Sequence, residues 1–356
     1  MRGESPGGGI ARVLVHEYVT GGGLVGEDLP PTWAAEGAAI RRAIVEDFAR
    51  VPGVAVVATV DARLDPGGDR PNVAYRIIAD RDDRAFETIA AAADWVALIA
   101  PETGGVLADL TRVVEAVGGR SLGSSPGAIA RVGDKLGLAG HFEALGIPTP
   151  PTRRFDPAAP RPAGWAGPIL LKPADGAGSV ETFVVEEGRP IPPGASRSRN
   201  LVVQPYLPGE PMSASFLVDR DGRSTLLAVG RQTVEVEPGG RVAYRGGTIP
   251  GSRGPCPAPV AAAVASVAGL RGFVGVDFLV GTGGSVHVLE INPRPTTSYV
   301  GLARLLPPGR LAGAWLAAVA RGFDGTDWPD RLRPPRDASP VSFGADGSIR
   351  PGGPER

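Results

Sequence analysis

The segment that decides the fold spans residues 274–292 and reads VGVDFLVGTGGSVHVLEIN. Two apolar stretches flank a glycine-rich GTGG turn, and this pattern predicts a β-hairpin. If the turn is symmetric, Asp277 lies opposite Val288. Because side chains along a strand alternate with period two, that register places Asp277 on the same face as Glu290 and Asn292.

These three oxygen-bearing side chains predict a divalent metal site. Their neighbours are almost all apolar, so Asp277 and Glu290 would be buried, would repel each other and would lose hydration. A bound cation relieves that cost, and hard oxygen ligands suit Mg²⁺, or Mn²⁺ in its place, better than zinc. The alternative is that both carboxylates pair with arginines such as Arg271 and Arg294.

Lysine usage points to a phosphate site. The 37 basic residues include only two lysines, Lys135 and Lys172. A lysine offers a compact charge on a thin stem that fits beside a phosphate in a tight pocket, whereas arginine brings a broad planar fork. The alternative is that both lysines are accidental survivors of a drift toward arginine.

A glycine-rich loop follows Lys172, which ends an apolar strand predicted at residues 169–172. Its small residues, among them Gly176, Gly178 and Ser179, let backbone N–H groups approach a phosphate. An ordinary turn is the alternative, since the chain has 52 glycines. The position of the loop directly behind a scarce lysine favours the phosphate interpretation.

A proline-bracketed linker occupies residues 202–210, which read VVQPYLPGE. Such a linker can present backbone N–H and C=O groups to the edge of a purine while Gln204 bonds a neighbouring polar atom. The alternative is a plain hinge between domains.

Composition excludes several functional classes. The formal charge of -1 provides no global field for nucleic acid or a membrane surface. Cys256 is the single cysteine, and the N-terminus lacks a secretory pattern, so we expect a reducing, cytoplasmic setting. No apolar run reaches the roughly 20 residues that span a bilayer. Partners should therefore be small molecules. The sequence leaves open whether the protein forms a homo-oligomer.

The 356 residues should form two or three packed units. Strand-like and helix-like runs alternate in residues 10–122, which predicts an α/β domain with a parallel sheet. Two further units follow at 123–205, where one helical stretch carries Lys135, and at 206–325. We expect residues 326–356, dense in proline, glycine and arginine, to be a loosely ordered tail.

Several motifs follow one another in a fixed order: Asp134-Lys135, the strand and glycine loop at 171–179, the linker at 204–210, Asp277, and Glu290-x-Asn292-Pro-Arg294. Together they resemble the ATP-grasp superfamily over about residues 123–325. The resemblance implies an α/β fold in which a Rossmann-like pre-ATP-grasp domain precedes a two-subdomain ATP-grasp fold. It also implies that ATP lies between the two subdomains.

The resemblance further implies roles for the motif residues. Those expected to contact ATP are Lys135, Lys172, Gly176, Gly178, Ser179, Gln204, Tyr206, Leu207 and Glu210. Those expected to hold Mg²⁺ are Asp277, Glu290 and Asn292, while Lys172 and Arg294 would act on the transferred phosphoryl group. One departure concerns Glu210, because relatives often place a ribose-binding glutamate one residue later, where this chain has Pro211.

A narrower resemblance rests on two short strings, HEYVTGGG at residues 16–23 and APET at residues 100–103. They are similar to tyramine-glutamate ligases of methanofuran biosynthesis, which implies that a carboxylate is activated as an acyl phosphate and joined to an amine. We expect the substrate contacts to come from Arg231, Gln232 and Arg245. The alternatives are an ATP-dependent ligase for another acid and a nucleotide-binding regulatory module without turnover.

Overall fold

A computed structural model describes residues 10–80, 82–157, 161–162, 164–175, 181–195, 200–252, 256–323, 331–335 and 337–350. Three sheets follow one another along the chain. Within the described residues, no helix combines the length and the apolar character needed to cross a membrane.

The first sheet is parallel and four-stranded, with β1 (Ala11–Glu17), β2 (Val54–Asp61), β3 (Val73–Ile78) and β4 (Trp95–Ile99) in the order β3-β2-β1-β4. Its helices are α1 (Pro31–Phe48), α2 (Asp83–Ala91) and α3 (Val106–Ala116). The run Val13–Leu14–Val15 is fully buried, as expected for a parallel strand that is covered on both faces. This confirms the predicted Rossmann-like α/β domain.

Two short helices lead to the second sheet. They are α4 (Pro126–Gly133) and α5 (Lys135–Ala144). The sequence predicted one continuous helical stretch here, but Asp134 is extended and its side chain accepts from the Leu136 N–H at 3.2 Å. This N-cap starts a new helix, so that Lys135 is the first residue of α5.

The second sheet is antiparallel and contains β5 (Arg153–Phe155), β6 (Ile169–Pro173), β7 (Phe183–Val185) and β8 (Leu201–Pro205), in the order β5-β8-β6-β7. Lys172 therefore lies on a central strand of this sheet. The third sheet is also antiparallel and begins with β9 (Glu210–Val218), β10 (Ser224–Val236) and β11 (Val242–Ser252), followed by α6 (Ala258–Ala265).

The remaining strands of the third sheet are β12 (Gly272–Val280), β13 (Val286–Asn292), β14 (Val341–Gly344) and β15 (Ile349–Arg350). The full order is β13-β12-β9-β10-β11-β14-β15. Between β13 and β14 come α7 (Ser298–Leu305) and α8 (Arg310–Arg321). The two-subdomain arrangement confirms the predicted fold class, whereas the domain bounds stay predictions.

The register of the β12–β13 hairpin differs from the symmetric one that the sequence predicted. Val280 pairs with Val286, which adds one residue to the turn, and the register shifts again between Asp277 and Phe278. Leu289 is the extra residue of this bulge, so Asp277 lies opposite Glu290 and not opposite Val288. Each of these two changes moves the register by one residue, so together they move it by two. Because side chains alternate with period two, Asp277 and Glu290 still share a face, as predicted.

The segment after residue 326 is not all a loose tail, which corrects the prediction. Strand β14 pairs with β11, and Phe343 is buried in the core. The ring of Phe343 fits because Gly247 and Gly301 leave space beside it; a Cβ at either position would lie 3.1–3.2 Å from the ring. Sequence composition missed this strand because only four residues carry it.

A single core joins the first domain to the C-terminal subdomain. It includes Phe48 of α1, Tyr299 of α7 and Trp315 of α8, all of which are almost fully buried. Phe48 and Trp315 lie with their ring centroids 5.7 Å apart, in the tilted arrangement that aromatic pairs favour. The first domain is therefore packed firmly against the third sheet, and a cavity lies along their boundary.

Candidate functional site

A cavity of about 1350 Å³ opens between the three sheets. The first domain contributes the end of β1 and one face of α1, the second sheet contributes Lys172 and Gln204, and the third sheet contributes β10 to β13. The cavity is larger than the roughly 300–1,000 Å³ of most small-molecule sites. It therefore has room for a nucleotide and further substrates.

Two carboxylates form the floor of this cavity. Asp277 accepts hydrogen bonds from the side-chain amides of Gln232, at 2.9 Å, and Asn292, at 3.1 Å. Burial and, next, the adjacent Glu290 together raise the pKa of Asp277 to about 7 against the opposing effect of the two amides. Two carboxylates held this close favour a cation between them.

The two lysines of the chain meet at these carboxylates. The Nζ of Lys135 lies 3.6 Å from Oε2 of Glu290. Burial would raise the pKa of Glu290, but Lys135 and Lys172 outweigh that effect and hold the pKa below its ordinary value. Lys172 approaches the two carboxylates from β6, and its charge interacts with those of Glu290 and Asp277. The structure thus brings together four residues that the sequence singled out.

Lys172 is an unusual ammonium group. Its side chain is buried, and burial lowers its pKa to about 8; Lys135 adds to the shift, while Glu290 and Asp277 oppose it. Removal from water disfavours the charged form of a lysine. A polyanion bound in the cavity would restore the stability of that charge.

The residues present fit a hard divalent cation. Asp277 and Glu290 offer carboxylate oxygens and Asn292 offers an amide oxygen, and such ligands suit Mg²⁺ when substrate phosphates complete the coordination. In the described part of the chain, no three His, Cys, Asp or Glu residues cluster as a metal site.

Arg294 is held by the first domain. Its Nε and Nη2 atoms donate to the two carboxylate oxygens of Glu102 at 3.0 and 3.2 Å; Glu102 is buried and Arg294 is partly buried. This bidentate geometry is the strongest arrangement of an arginine with a carboxylate. The guanidinium still lines the cavity, so Glu102 sets its orientation toward the bound ligands.

The linker after β8 lines the cavity next to Lys172. Gln204 is buried, and its Nε2 donates to Oγ1 of Thr152 at 2.8 Å. The N–H of Tyr206 donates to the carbonyl of Pro168 at 3.0 Å, so this N–H is already engaged by the backbone. Leu207 is the next residue in the wall of the cavity.

Other residues that the sequence selected do not converge on the site. Arg231 forms an ion pair with Glu210, and both are about half exposed. The guanidinium of Arg245 binds Glu235 and Glu237 at 2.8 and 2.6 Å. Both arginines line the cavity but are already engaged by local glutamates. Their assignment as substrate contacts, like the nucleotide role of Glu210, stays a prediction.

Gly176, Gly178 and Ser179 lie outside the described residues. The structure also adds cavity residues that sequence reasoning did not select: Glu17, Glu36 and Tyr244. Glu17 and the arginine-binding Glu102 lie within the two short strings that carried the narrower resemblance, so a signal for them existed. Nothing in the sequence marked Glu36 or Tyr244, because helix α1 and strand β11 bring them to the cavity from distant parts of the chain.

Comparison with protein families divides the chain within α4. Residues 54–129 match a pre ATP-grasp 3 domain, and residues 132–298 match an ATP-grasp domain. A tyramine–L-glutamate ligase of Methanocaldococcus fervens is 28% identical over 211 residues, which cover 59% of this chain and 61% of that protein. The matched part thus spans about three fifths of that ligase.

Two further relatives extend the comparison. A D-alanine–D-alanine ligase of Gloeobacter violaceus is 28% identical over 264 residues, which cover 67% of this chain and 80% of that protein. The crystal structure of a protein from Archaeoglobus fulgidus, described as a member of the ATP-grasp superfamily, superposes with a TM-score of 0.63 at 22% identity. That superposition covers 87% of this chain and 89% of the other, and it shows that the two share a fold.

Proposed function

This chain is a member of the ATP-grasp superfamily, with a pre-ATP-grasp domain before its ATP-grasp domain, and we propose that it is an ATP-dependent carboxylate–amine ligase. The observation that carries the proposal is that Lys172, Asp277 and Glu290 line one cavity and that Lys135 forms an ion pair with Glu290. The lysines come from α5 and β6, and the carboxylates from the third sheet. The lysines, together with a cation held by the carboxylates, would neutralise the charge of a triphosphate.

The nucleotide would lie along the junction of the second and third sheets. Its purine edge would face the linker, where Leu207 supplies the N–H because that of Tyr206 is bound to Pro168. Its phosphates would lie beside Lys172 and Lys135. Asp277, Glu290 and Asn292 would hold Mg²⁺, which when bound supplies positive charge to the phosphate oxygens.

The proposed reaction has two steps. A carboxylate oxygen of the acid attacks the γ-phosphorus, the bond to the bridging oxygen breaks, and ADP leaves an acyl phosphate. The amine nitrogen then attacks the acyl carbon, inorganic phosphate leaves, and the new amide nitrogen loses its proton. Lys172 and Arg294 stabilise the charge that develops on the transferred phosphoryl group.

The side chains needed for this chemistry bind and orient substrates. No step requires a nucleophilic side chain of the protein, since the substrate carboxylate attacks the phosphorus directly. Glu102 contributes by fixing the guanidinium of Arg294 in a bidentate pair. If the guanidinium of Arg294 were misplaced, the reaction would be slower, because the reacting groups must be positioned to within a fraction of an ångström.

L-Glutamate and tyramine are the first substrate pair to assay, because a tyramine–L-glutamate ligase is among the relatives. The D-alanine–D-alanine ligase relative supports a second panel, in which an amino acid is both acid and amine. The reaction class is the same in both cases. What differs is the part of the cavity that receives the amine.

The test is ADP release with each pair, measured for the wild type, Lys172→Met and Glu290→Ala. We expect the wild type to require both acid and amine, and each variant to lose at least about a hundredfold in rate. Arg120→Met, which removes an exposed guanidinium stacked on Trp95 at 4.1 Å, is the matched control and should keep full activity.

Circular dichroism should show the same fold for all four proteins. Activity near the wild-type level in Lys172→Met or Glu290→Ala would eliminate the proposed site. Nucleotide binding without ADP release for every pair would instead identify a regulatory module without turnover.

A further inference from the structure

The cavity extends on its first-domain side into a region that the nucleotide does not explain. We call this region the distal chamber. It is lined by Trp33, Glu36 and Ile40 of α1, Val19 after β1, and Phe343 and Ser348 of the C-terminal hairpin. The hairpin closes tightly on α1, since a Cβ at Gly347 would lie 2.2 Å from the Cβ of Ala39. The distal chamber therefore combines apolar walls with a charged residue on α1.

Glu36 differs from the other partly or fully buried carboxylates of the cavity. Glu17 accepts from the N–H and hydroxyl of Thr20 at 2.7 and 2.6 Å. Asp277 accepts from two amides, and Glu290 is paired with Lys135. Glu36 is partly buried, yet among the described residues no donor or cation contacts its carboxylate. Its charge is thus uncompensated by a direct partner.

The surroundings of Glu36 make this state costly. Burial raises its pKa; Arg294 opposes the shift from a distance, while the charge of Glu17 adds to it. Helix α1 packs closely on Glu17, since a Cβ at Gly37 would lie 2.4 Å from Oε2 of Glu17. A carboxylate kept in such a place favours a cationic ligand.

We propose that Glu36 binds the ammonium group of the amine substrate and then accepts one of its protons, so that a primary amine with an apolar or aromatic body is captured as the cation and attacks the acyl carbon as the neutral amine. This inference rests on the proposed ligase function. The acid substrate does not fit the same position, because Glu36 and Glu17 would repel its carboxylate, whereas Arg294 and Lys172 attract it on the other side. Because the bound nitrogen is also the attacking atom, Glu36 would act both as a specificity-determining residue and as the acceptor of the amine's proton.

The walls of the distal chamber specify the body of the amine. Trp33 is 44% exposed although it is a large apolar side chain, and it lies one turn from Glu36 on the same helix face. Ile40, one turn further on, and Phe343 of β14 also line the cavity, but both are already almost fully buried. A ring or a short alkyl chain attached to the ammonium group would therefore mainly cover Trp33.

The test separates activation of the acid from capture of the amine. Hydroxylamine is uncharged at neutral pH and attacks an acyl phosphate to give a hydroxamate, with loss of phosphate, so it has no need of a carboxylate partner. With L-glutamate or another accepted acid, Glu36→Gln should form hydroxamate at the wild-type rate. The KM for the amine, with tyramine as the first probe, should rise about tenfold or more while the KM for the acid stays unchanged.

The control is Glu46→Gln, on the same helix but in an exposed ion pair with Arg70 at 3.3 Å. This variant should match the wild type in both assays. If the wild type forms no hydroxamate with any acid, the proposed ligase function fails. If hydroxamate forms but the amine KM of Glu36→Gln is unchanged, or if only the acid KM rises, the assignment of Glu36 alone fails.

When turnover is slow, a binding measurement tests directly whether Glu36 binds the amine. Calorimetric titration of the protein with ADP and Mg²⁺ present should show tyramine, phenethylamine or hexylamine binding to the wild type at least about tenfold more tightly than to Glu36→Gln. The neutral alcohol tyrosol should bind both proteins equally weakly. No binding of any of these amines to the wild type, or equal binding to both proteins, would overturn the proposal.

Discussion

Lys172 combines two opposing properties, since it must carry a positive charge for a phosphate and yet is removed from water. Burial lowers its pKa to about 8 against the attraction of Glu290 and Asp277. An arginine at this position would not respond in this way, because a guanidinium stays protonated at neutral and mildly alkaline pH.

The same shift predicts a pH dependence of ATP binding. In the free protein, Lys172 is protonated below pH 8 and increasingly neutral above it, whereas bound phosphates favour the charged form. Binding above pH 8 should therefore take up a proton, and the Kd for ATP should rise by up to about tenfold per pH unit. Titration calorimetry in two buffers of different ionisation enthalpy measures the uptake.

Lys172→Arg is the control for this measurement. It should bind ATP more weakly, but without the proton uptake, because arginine stays charged throughout the range. Equal proton uptake by the wild type and by Lys172→Arg would show that a different group titrates.

At the scale of elements, the sequence predicted which strands carry the site but not the detail of their register. Alternation of apolar residues placed Asp277, Glu290 and Asn292 on one face, and the structure has them there. The bulge at Leu289 left no sequence signal, because an extra residue in a strand looks like any other apolar residue. The break at Asp134 could have been recognised as an N-cap, since aspartate is a preferred residue at that position.

Strand β14 could not be predicted because its stability comes from a distant partner. Its four residues pair with β11, almost a hundred positions earlier in the chain, and composition alone makes the region look unstructured. The same holds for Glu36 and Tyr244, which reach the cavity only through the packing of α1 and β11. Long-range packing, and not local pattern, decides both features.

The burial of Phe343 predicts that β14 contributes to the stability of the whole C-terminal subdomain. Phe343→Ala removes a ring that packs against Gly247 and Gly301, and it should lower the free energy of unfolding by about 3–5 kcal/mol. Ile349→Ala, whose side chain is 40% exposed, should change it by less than about 0.5 kcal/mol. Urea denaturation measures both, and a Phe343→Ala protein as stable as the wild type would show that β14 is dispensable.

At the scale of the molecule, the first domain and the C-terminal subdomain form one packed body around the cavity. Asp47 of α1 is buried and accepts from the Tyr299 hydroxyl, the Gly309 N–H and the Ala312 N–H at 2.9, 2.6 and 2.8 Å. These bonds fix the start of α8 against α1. The wall that carries Glu36 is thereby held in place relative to Arg294.

This connection predicts that the two parts unfold together. Asp47→Ala leaves three donors without their acceptor, two of them buried, and should cost about 3 kcal/mol or more. Glu46→Ala, at the adjacent exposed position, should cost less than about 0.5 kcal/mol. Circular dichroism and tryptophan fluorescence should report one coincident transition in urea for both variants. Two separate transitions, with only the earlier one moved by Asp47→Ala, would contradict a shared core.

The most direct test of the account follows oxygen from the acid substrate. The enzyme is incubated with ATP, the amine and an acid whose carboxylate carries ¹⁸O, and the released phosphate is analysed by mass spectrometry. Activation at the site of Lys172, Asp277 and Glu290 predicts ADP and phosphate containing one ¹⁸O atom per amide formed. Amide formation with unlabelled phosphate, or with AMP and pyrophosphate as products, would contradict it.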